Sequence, residues 1–329
     1  MVPSPRCLLL LFVLWPVASR AAPPSAPDLW LGALEPPSRA ARGLAPNDYL
    51  DLFRADAPWP TVAAHLTEVV LSKRFVMQAP AEMLAAVVGD LARRHIGVAM
   101  QVMALVPGPA CGANVTGYGP RDDARQQAER IRRAGGTLDA AVLEGPMWFG
   151  HFFAGSADHP ACQMPVADVA AQALAKVAQL RAVFPAVRIG AAEPVGAAAD
   201  VHDLDAGLVE LNANLTLKTG HRLAFLQAEV DWQRPGWQEA LRTTEAFVRT
   251  QGVRFGVVYN GGFGDPPDAA WSAATRRHYT EVEQSLGLAP DIADFASATP
   301  RPARLLPEGD RDTLTGVVLG YLRFRAIVK

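Results

Sequence analysis

Cysteine is scarce in this chain, with three among 329 residues. Cys7 lies in an apolar N-terminal run, which leaves Cys111 and Cys162. Their spacing fits no zinc motif, and no histidine stands at ligand spacing from either, so no structural metal is expected. Long apolar runs are also missing beyond the N-terminus, which excludes a later transmembrane helix. There is no block of basic residues, and nucleic acid is therefore excluded as a partner. No glycine-rich phosphate loop follows the first apolar run; the sequence there is Leu34-Glu35-Pro36-Pro37-Ser38. An open dinucleotide-binding sheet needs such a loop, so neither that fold nor a nucleotide cofactor is expected. A G-x-S-x-G elbow is absent as well, which leaves a serine hydrolase without support.

What is present begins with a leader. Arg6 precedes the apolar run Cys7 to Leu14, and the small residues Ala18, Ser19, Ala21 and Ala22 follow. That order predicts a secretory signal peptide over residues 1–21, with a Pro/Ala-rich leader at 22–27 and a single domain over 28–329. The run is too short for a stable membrane span, so no membrane insertion is expected after cleavage. A secreted or periplasmic location follows. Loss of Arg6 and Arg20 reduces the 31 basic residues to 29 against 33 acidic ones, a net charge near −4. In an oxidising compartment the remaining even pair, Cys111 and Cys162, predicts one disulfide. About 308 residues then remain, enough for one large core and a monomer.

Short apolar runs alternate with amphipathic stretches along the domain. The runs are Leu29–Leu34, Leu66–Ser72, Ile96–Leu105, Thr137–Leu143, Val187–Ala192, Leu223–Val230, Phe255–Tyr259 and Asp291–Ala296. Between them, Val166, Val169, Ala170, Ala173, Val177 and Leu180 recur at helical spacing, with Pro165 before them and Pro185 after. Helices are also expected over Ala81–Arg94, Asp122–Arg133, Gln238–Thr250, Ala269–Leu286 and Thr313–Arg325, three of them stopped by glycine. Eight strand–helix units of roughly 35–40 residues predict an α/β fold, a closed (β/α)₈ barrel in one domain.

Barrels of this kind carry their chemistry at the carboxyl ends of the strands. Acids stand there: Glu35 after the first strand, Glu144 after the fourth, Glu193 after the fifth, and Glu229 and Asp231 on the sixth. Strand alternation puts Gln227, Glu229 and Asp231 on one face and Leu226, Ala228 and Val230 on the other. The polar face is expected to look into the barrel and the apolar face to pack on helices. Two facing carboxyls are what glycosidic cleavage requires, one to protonate the leaving oxygen and one to attack or to activate water. Glu144 with Asp231, supported by Glu229, is the expected catalytic set. Glu193, Trp148, His151, Gln227, Trp232, Tyr259 and Asn260 are the expected substrate contacts, since flat aromatic faces pack on sugar rings. Glu35 is expected to form a loop salt bridge. Asp200, His202, Asp203 and Asp205 form a polar stretch better read as a solvated loop or helix start than as a metal cluster.

This arrangement resembles the (β/α)₈ glycosidase superfamily, and in particular its secreted bacterial members. In the large clan marked by Asn-Glu-Pro on the fourth strand, Glu144 corresponds to the acid/base. Here the run is Leu143-Glu144-Gly145-Pro146, and the seventh strand ends Tyr259-Asn260-Gly261 without the nucleophile of that clan. The chain is more similar to glycosidase barrels with acids on the fourth and sixth strands. The resemblance implies a hydrolase acting on an extracellular or envelope polysaccharide. The alternatives are a sugar-binding barrel that has lost its chemistry, and a metal-dependent barrel hydrolase or isomerase using Glu144, Glu193, Glu229 and Asp231.

Overall fold

The computed structural model describes residues 26–195, 201–262, 266–297 and 299–328, with the backbone only at 201–204. The expected signal peptide and residues 22–25 of the expected leader lie outside the described residues. Eight parallel strands close into a barrel in chain order: β1 Asp28–Gly32, β2 Glu68–Leu71, β3 Gly97–Val102, β4 Ala140–Glu144, β5 Arg188–Val195, β6 Phe225–Val230, β7 Arg254–Tyr259 and β8 Ile292–Ala296. The protein is thus a (β/α)₈ barrel. Helices cover the outside, chief among them Ala81–Arg93, Asp123–Arg133, Val166–Val183, Val201–Thr219, Trp237–Thr250, Asp268–Thr280 and Leu314–Phe324.

Strand alternation sorts the core into two parts. Outward-facing residues such as Leu29, Leu31, Val69, Leu71, Leu226, Ala228, Val230, Phe255 and Val257 join the large cluster under the helices. The opposite faces contribute Trp30, Val70, Ala99, Ala140, Val142, Ala192, Phe225 and Ile292 to a separate cluster inside the barrel. Gly190 makes room there, because a Cβ would lie 2.2 Å from the Phe225 ring. Trp30 and Phe225 meet edge to face at 5.1 Å within the barrel.

Some details follow the sequence expectations and others depart from them. The segment after β5 is a helix, Val201–Thr219, on which Asp205 is buried; Asp200 and the side chains of His202 and Asp203 lie outside the described residues. Glu35 is buried and held by the hydroxyls of Ser38 and Ser72 instead of by a salt bridge. Short helical turns at Pro36–Ala41, Tyr49–Phe53, Pro60–Ala63 and Lys73–Gln78 fill segments with no clear periodicity. Cys111 and Cys162 form a disulfide that ties the loop after β3 to the loop after β4.

Candidate active site at the barrel mouth

Strands of an eight-stranded barrel of this type are staggered by about one residue per strand, so inward side chains from alternate strands form layers. The ladder pairs Glu144 with Ala192 and Ala192 with Gln227. It also pairs Pro194 with Glu229, Glu229 with Val258, and Val258 with Asp294. With the stagger applied, Glu144 of β4 and Glu229 of β6 share the uppermost layer, and Gln227 and Asp294 share the layer beneath. Gln227 Nε2 donates to Asp294 Oδ2 at 3.1 Å across the barrel. Gln101, inward on β3, hydrogen-bonds Glu144.

The electrostatics follow from burial. Glu144 is held well above the usual carboxylate range, first by desolvation and then by Glu229, Asp294 and Glu193. Burial also raises Glu229. Asp294 is pushed up to about 7 by burial, with Glu229 adding to the effect and the Gln227 amide opposing it. Close carboxyls cannot all ionise in a dry site, so the group shares protons at neutral pH. Repulsion between Glu144 and Glu229 is mutual, so the buried pair favours holding a proton over carrying two charges.

A tight turn orients Glu144. Gly145, at φ 45°, follows it directly, and a Cβ there would lie 2.4 Å from the Phe149 ring. Gly145 N–H donates to Ala192 O at 2.7 Å, fixing the end of β4 to β5. The chain then enters a helical turn that includes one π-type stretch, Trp148–Phe152. The first N–H groups of this turn, from Met147 and Trp148, donate to the two carboxyl oxygens of Glu193 at 2.8 and 3.0 Å. A carboxylate suits a helix N-terminus because the N–H groups there lack backbone partners.

The structure redistributes the expected site residues. Glu144, Glu229 and Gln227 face the interior together. Asp231 lies just beyond β6, half-buried, where its Oδ1 accepts from Gln233 N–H in a turn. Glu193 was expected in the mouth; alternation turns it to the outer side of the wall, where it is fully buried and holds Met147 and Trp148. Tyr259, also expected as a substrate contact, faces the helices and donates to Glu283. It packs there with Tyr279, Phe295 and Tyr321. Trp232 stacks on His278 at 4.1 Å and donates to Asn260 Oδ1, so both Trp232 and Asn260 are engaged within the protein. His151 Nδ1 bonds Met164 O at 2.6 Å, and Trp148 is half-buried on the turn after Glu144.

Sequence reasoning missed Asp294, Gln101 and His278. Asp294 sits on β8, the strand with the weakest apolar signal, although its alternation between Ile292 and Ala296 marks the inward face. His278 comes from the helix Asp268–Thr280 and reaches Asn260 O through Nδ1 at 2.7 Å. Burial lowers its pKa to about 4, so it is neutral there. Among the described residues, no group of three His, Cys, Asp or Glu side chains is arranged to hold a metal ion.

Fold and site together define a (β/α)₈ barrel with a buried carboxyl cluster at its mouth. No protein-family model matches the chain, and no curated protein matches it significantly. Solved structures of similar fold include a bacterial Ig-like domain-containing GH10 xylanase from termite gut, at TM-score 0.50 and 9% identity over 91% of this chain and 76% of that one. They also include a beta-mannanase from Streptomyces thermolilacinus with mannohexaose, at TM-score 0.48 and 16% identity over 92% and 88%. Morphinone reductase is similar to the same degree, at TM-score 0.48 and 15% identity over 89% and 86%. At such identities the likeness is one of fold, and this fold hosts unrelated chemistries.

Proposed function

We propose that the protein is a carbohydrate-active barrel, a glycoside hydrolase whose working pair is Glu144 and Glu229. The observation that carries this reading is the pair itself: two inward carboxyls in the top layer, on β4 and β6, both raised by burial and repelling each other. Glu144 protonates the leaving glycosidic oxygen. Glu229 attacks the anomeric carbon or takes a proton from an attacking water. Asp294 and Gln227 form the floor beneath them. Glu229 replaces Asp231 as the partner of Glu144 because the Asp231 carboxylate is taken up by the turn after β6.

The substrate class is an extracellular or envelope polysaccharide, met by a monomer whose residues 1–21 are removed on export. The Cys111–Cys162 disulfide is compatible with an oxidising compartment. No helix among the described residues is long and apolar enough to cross a membrane.

Reducing-sugar release from a panel of bacterial and plant polysaccharides tests the proposal. Glu144→Gln and Glu229→Gln should each lower release by roughly 10²–10⁴-fold, the usual contribution of a positioned acid or base. Asp231→Asn should leave it within a few-fold, and a chelator should not change it. Loss on Asp231→Asn with none on Glu229→Gln would assign the pair differently. Binding without release would favour a sugar-binding barrel.

A further inference from the structure

Below the mouth, three buried polar groups stand in one row. The ladder pairs Asp294 of β8 with Trp30 of β1, and Trp30 with Glu68 of β2. All three point inward, and their exposures are 4%, 0% and 5%. Each has one polar atom with no partner within the protein: Asp294 Oδ1, Trp30 Nε1 and Glu68 Oε2. The remaining carboxyl oxygens are engaged, Asp294 Oδ2 by Gln227 and Glu68 Oε1 by Arg188. The Thr67 hydroxyl stands 3.1 Å from Leu29 O and also reaches the Glu68 carboxyl, so its one hydrogen is divided between them. Buried polar atoms nearly always find a partner, so three orphans on adjacent strands need a common explanation.

Their chemistry specifies it. With both carboxyls ionised the row offers one donor, the indole N–H, and two acceptors. The complement is a species with two hydrogens to give and a lone pair to receive, which is water. A cation is opposed by the indole N–H and an anion by the two carboxyls. A direct bond between the carboxyls would leave the indole unanswered. Asp294 and Glu68 stand two strands apart and, by the stagger, one layer apart, with Trp30 on the strand between them, about 4.8 Å from each neighbour; the two carboxyls are near enough for Glu68 to act on Asp294.

We propose that the barrel holds one structural water that donates to Asp294 Oδ1 and Glu68 Oε2 and accepts from Trp30 Nε1, and that this water makes Asp294 a positioning residue for the acids above. The link upward is the bond from Gln227 to Asp294, in the layer directly beneath Glu144 and Glu229. The charged groups facing the row are Glu229, which acts on Asp294, Glu144, on which Asp294 acts, and Arg188 and Asp28, which act on Glu68. Glu68 also acts on Asp294. The Trp30 N–H polarises the water, making it a better donor to both carboxyls. This site stands whether or not the barrel cleaves sugars.

A high-resolution crystal structure of the mature protein is the direct test. One ordered peak within about 2.7–3.1 Å of all three atoms is expected. A direct bond between any two of them, or no peak, overturns the proposal. Carbon-13 NMR titration of the carboxyls in the intact protein gives a second measure. Trp30→Phe removes the polarising donor and should move the Asp294 midpoint upward, while Tyr118→Phe, far from the row, should not. An Asp294 midpoint unchanged in Trp30→Phe would remove its positioning role.

Discussion

Glu193 couples the stability of this barrel to pH in an unusual direction. Burial raises its pKa to about 8, against the lowering effect of the Met147 and Trp148 N–H groups. A carboxyl raised in the folded state binds its proton more tightly folded than unfolded. Its contribution to stability is therefore fully present below the unfolded value of 4.5. It is lost as pH rises towards 8 and stays lost above it. At 1.36 kcal/mol per unit, a shift of this size corresponds to on the order of 5 kcal/mol. Glu193→Gln supplies a permanently neutral isostere. In urea titrations at pH 5 the variant should be as stable as the wild type or about 1–2 kcal/mol less so, since its amide meets one N–H donor unfavourably. At pH 9 the order should reverse, with the variant the more stable protein. Comparing the two proteins at each pH cancels the other titrating groups. A gap that stays constant from pH 5 to pH 9 would refute the reasoning. It would mean that Glu193 is ionised throughout and that the two amide donors outweigh desolvation.

His278 acts with the opposite sign. Its pKa is lowered to about 4, so stability falls as pH drops from 6.5 to 4, by about 3 kcal/mol; His278→Gln should flatten that part of a thermal-melt pH series. Replacing Cys111 and Cys162 together by alanine opens a 51-residue separation and should lower stability by about 4 kcal/mol, read from urea midpoints against the oxidised protein. Glu283 accepts from Tyr259, Tyr321 and Arg325, joining β7 to the last helix. Glu283→Ala leaves these donors unanswered and should lower stability by about 3–5 kcal/mol, whereas an unchanged melting temperature would show that the cluster adapts.

Much of the fold was legible because strand and helix periods differ. The runs at Phe225–Val230 and Val166–Val183 carry periods of two and 3.6, and each element formed where its pattern lay. Glycine and proline marked the ends: Pro165 precedes Val166, and Gly135, at φ 82°, follows the helix that ends at Arg133. The site was legible where alternation alone decides direction. Gln227 and Glu229 point inward because Leu226, Ala228 and Val230 point out. Glu193 and Tyr259 face away from the mouth because parity along the strand, not position at its end, sets a side chain's direction.

The sequence by itself determined the barrel, its strand order, the cysteine pair and the acids on β4 and β6, since these depend on local period and on chain order. Only the tertiary structure decided which acids share a space. Parity sent Glu193 outward to hold the turn after β4. Barrel closure brought Asp294, some 65 residues beyond Glu229, beneath the pair by joining β8 back to β1. Proton affinity likewise belongs to the folded barrel. Removing Glu144 from water and placing it among other carboxyls raises its pKa, and neither effect exists in an extended chain.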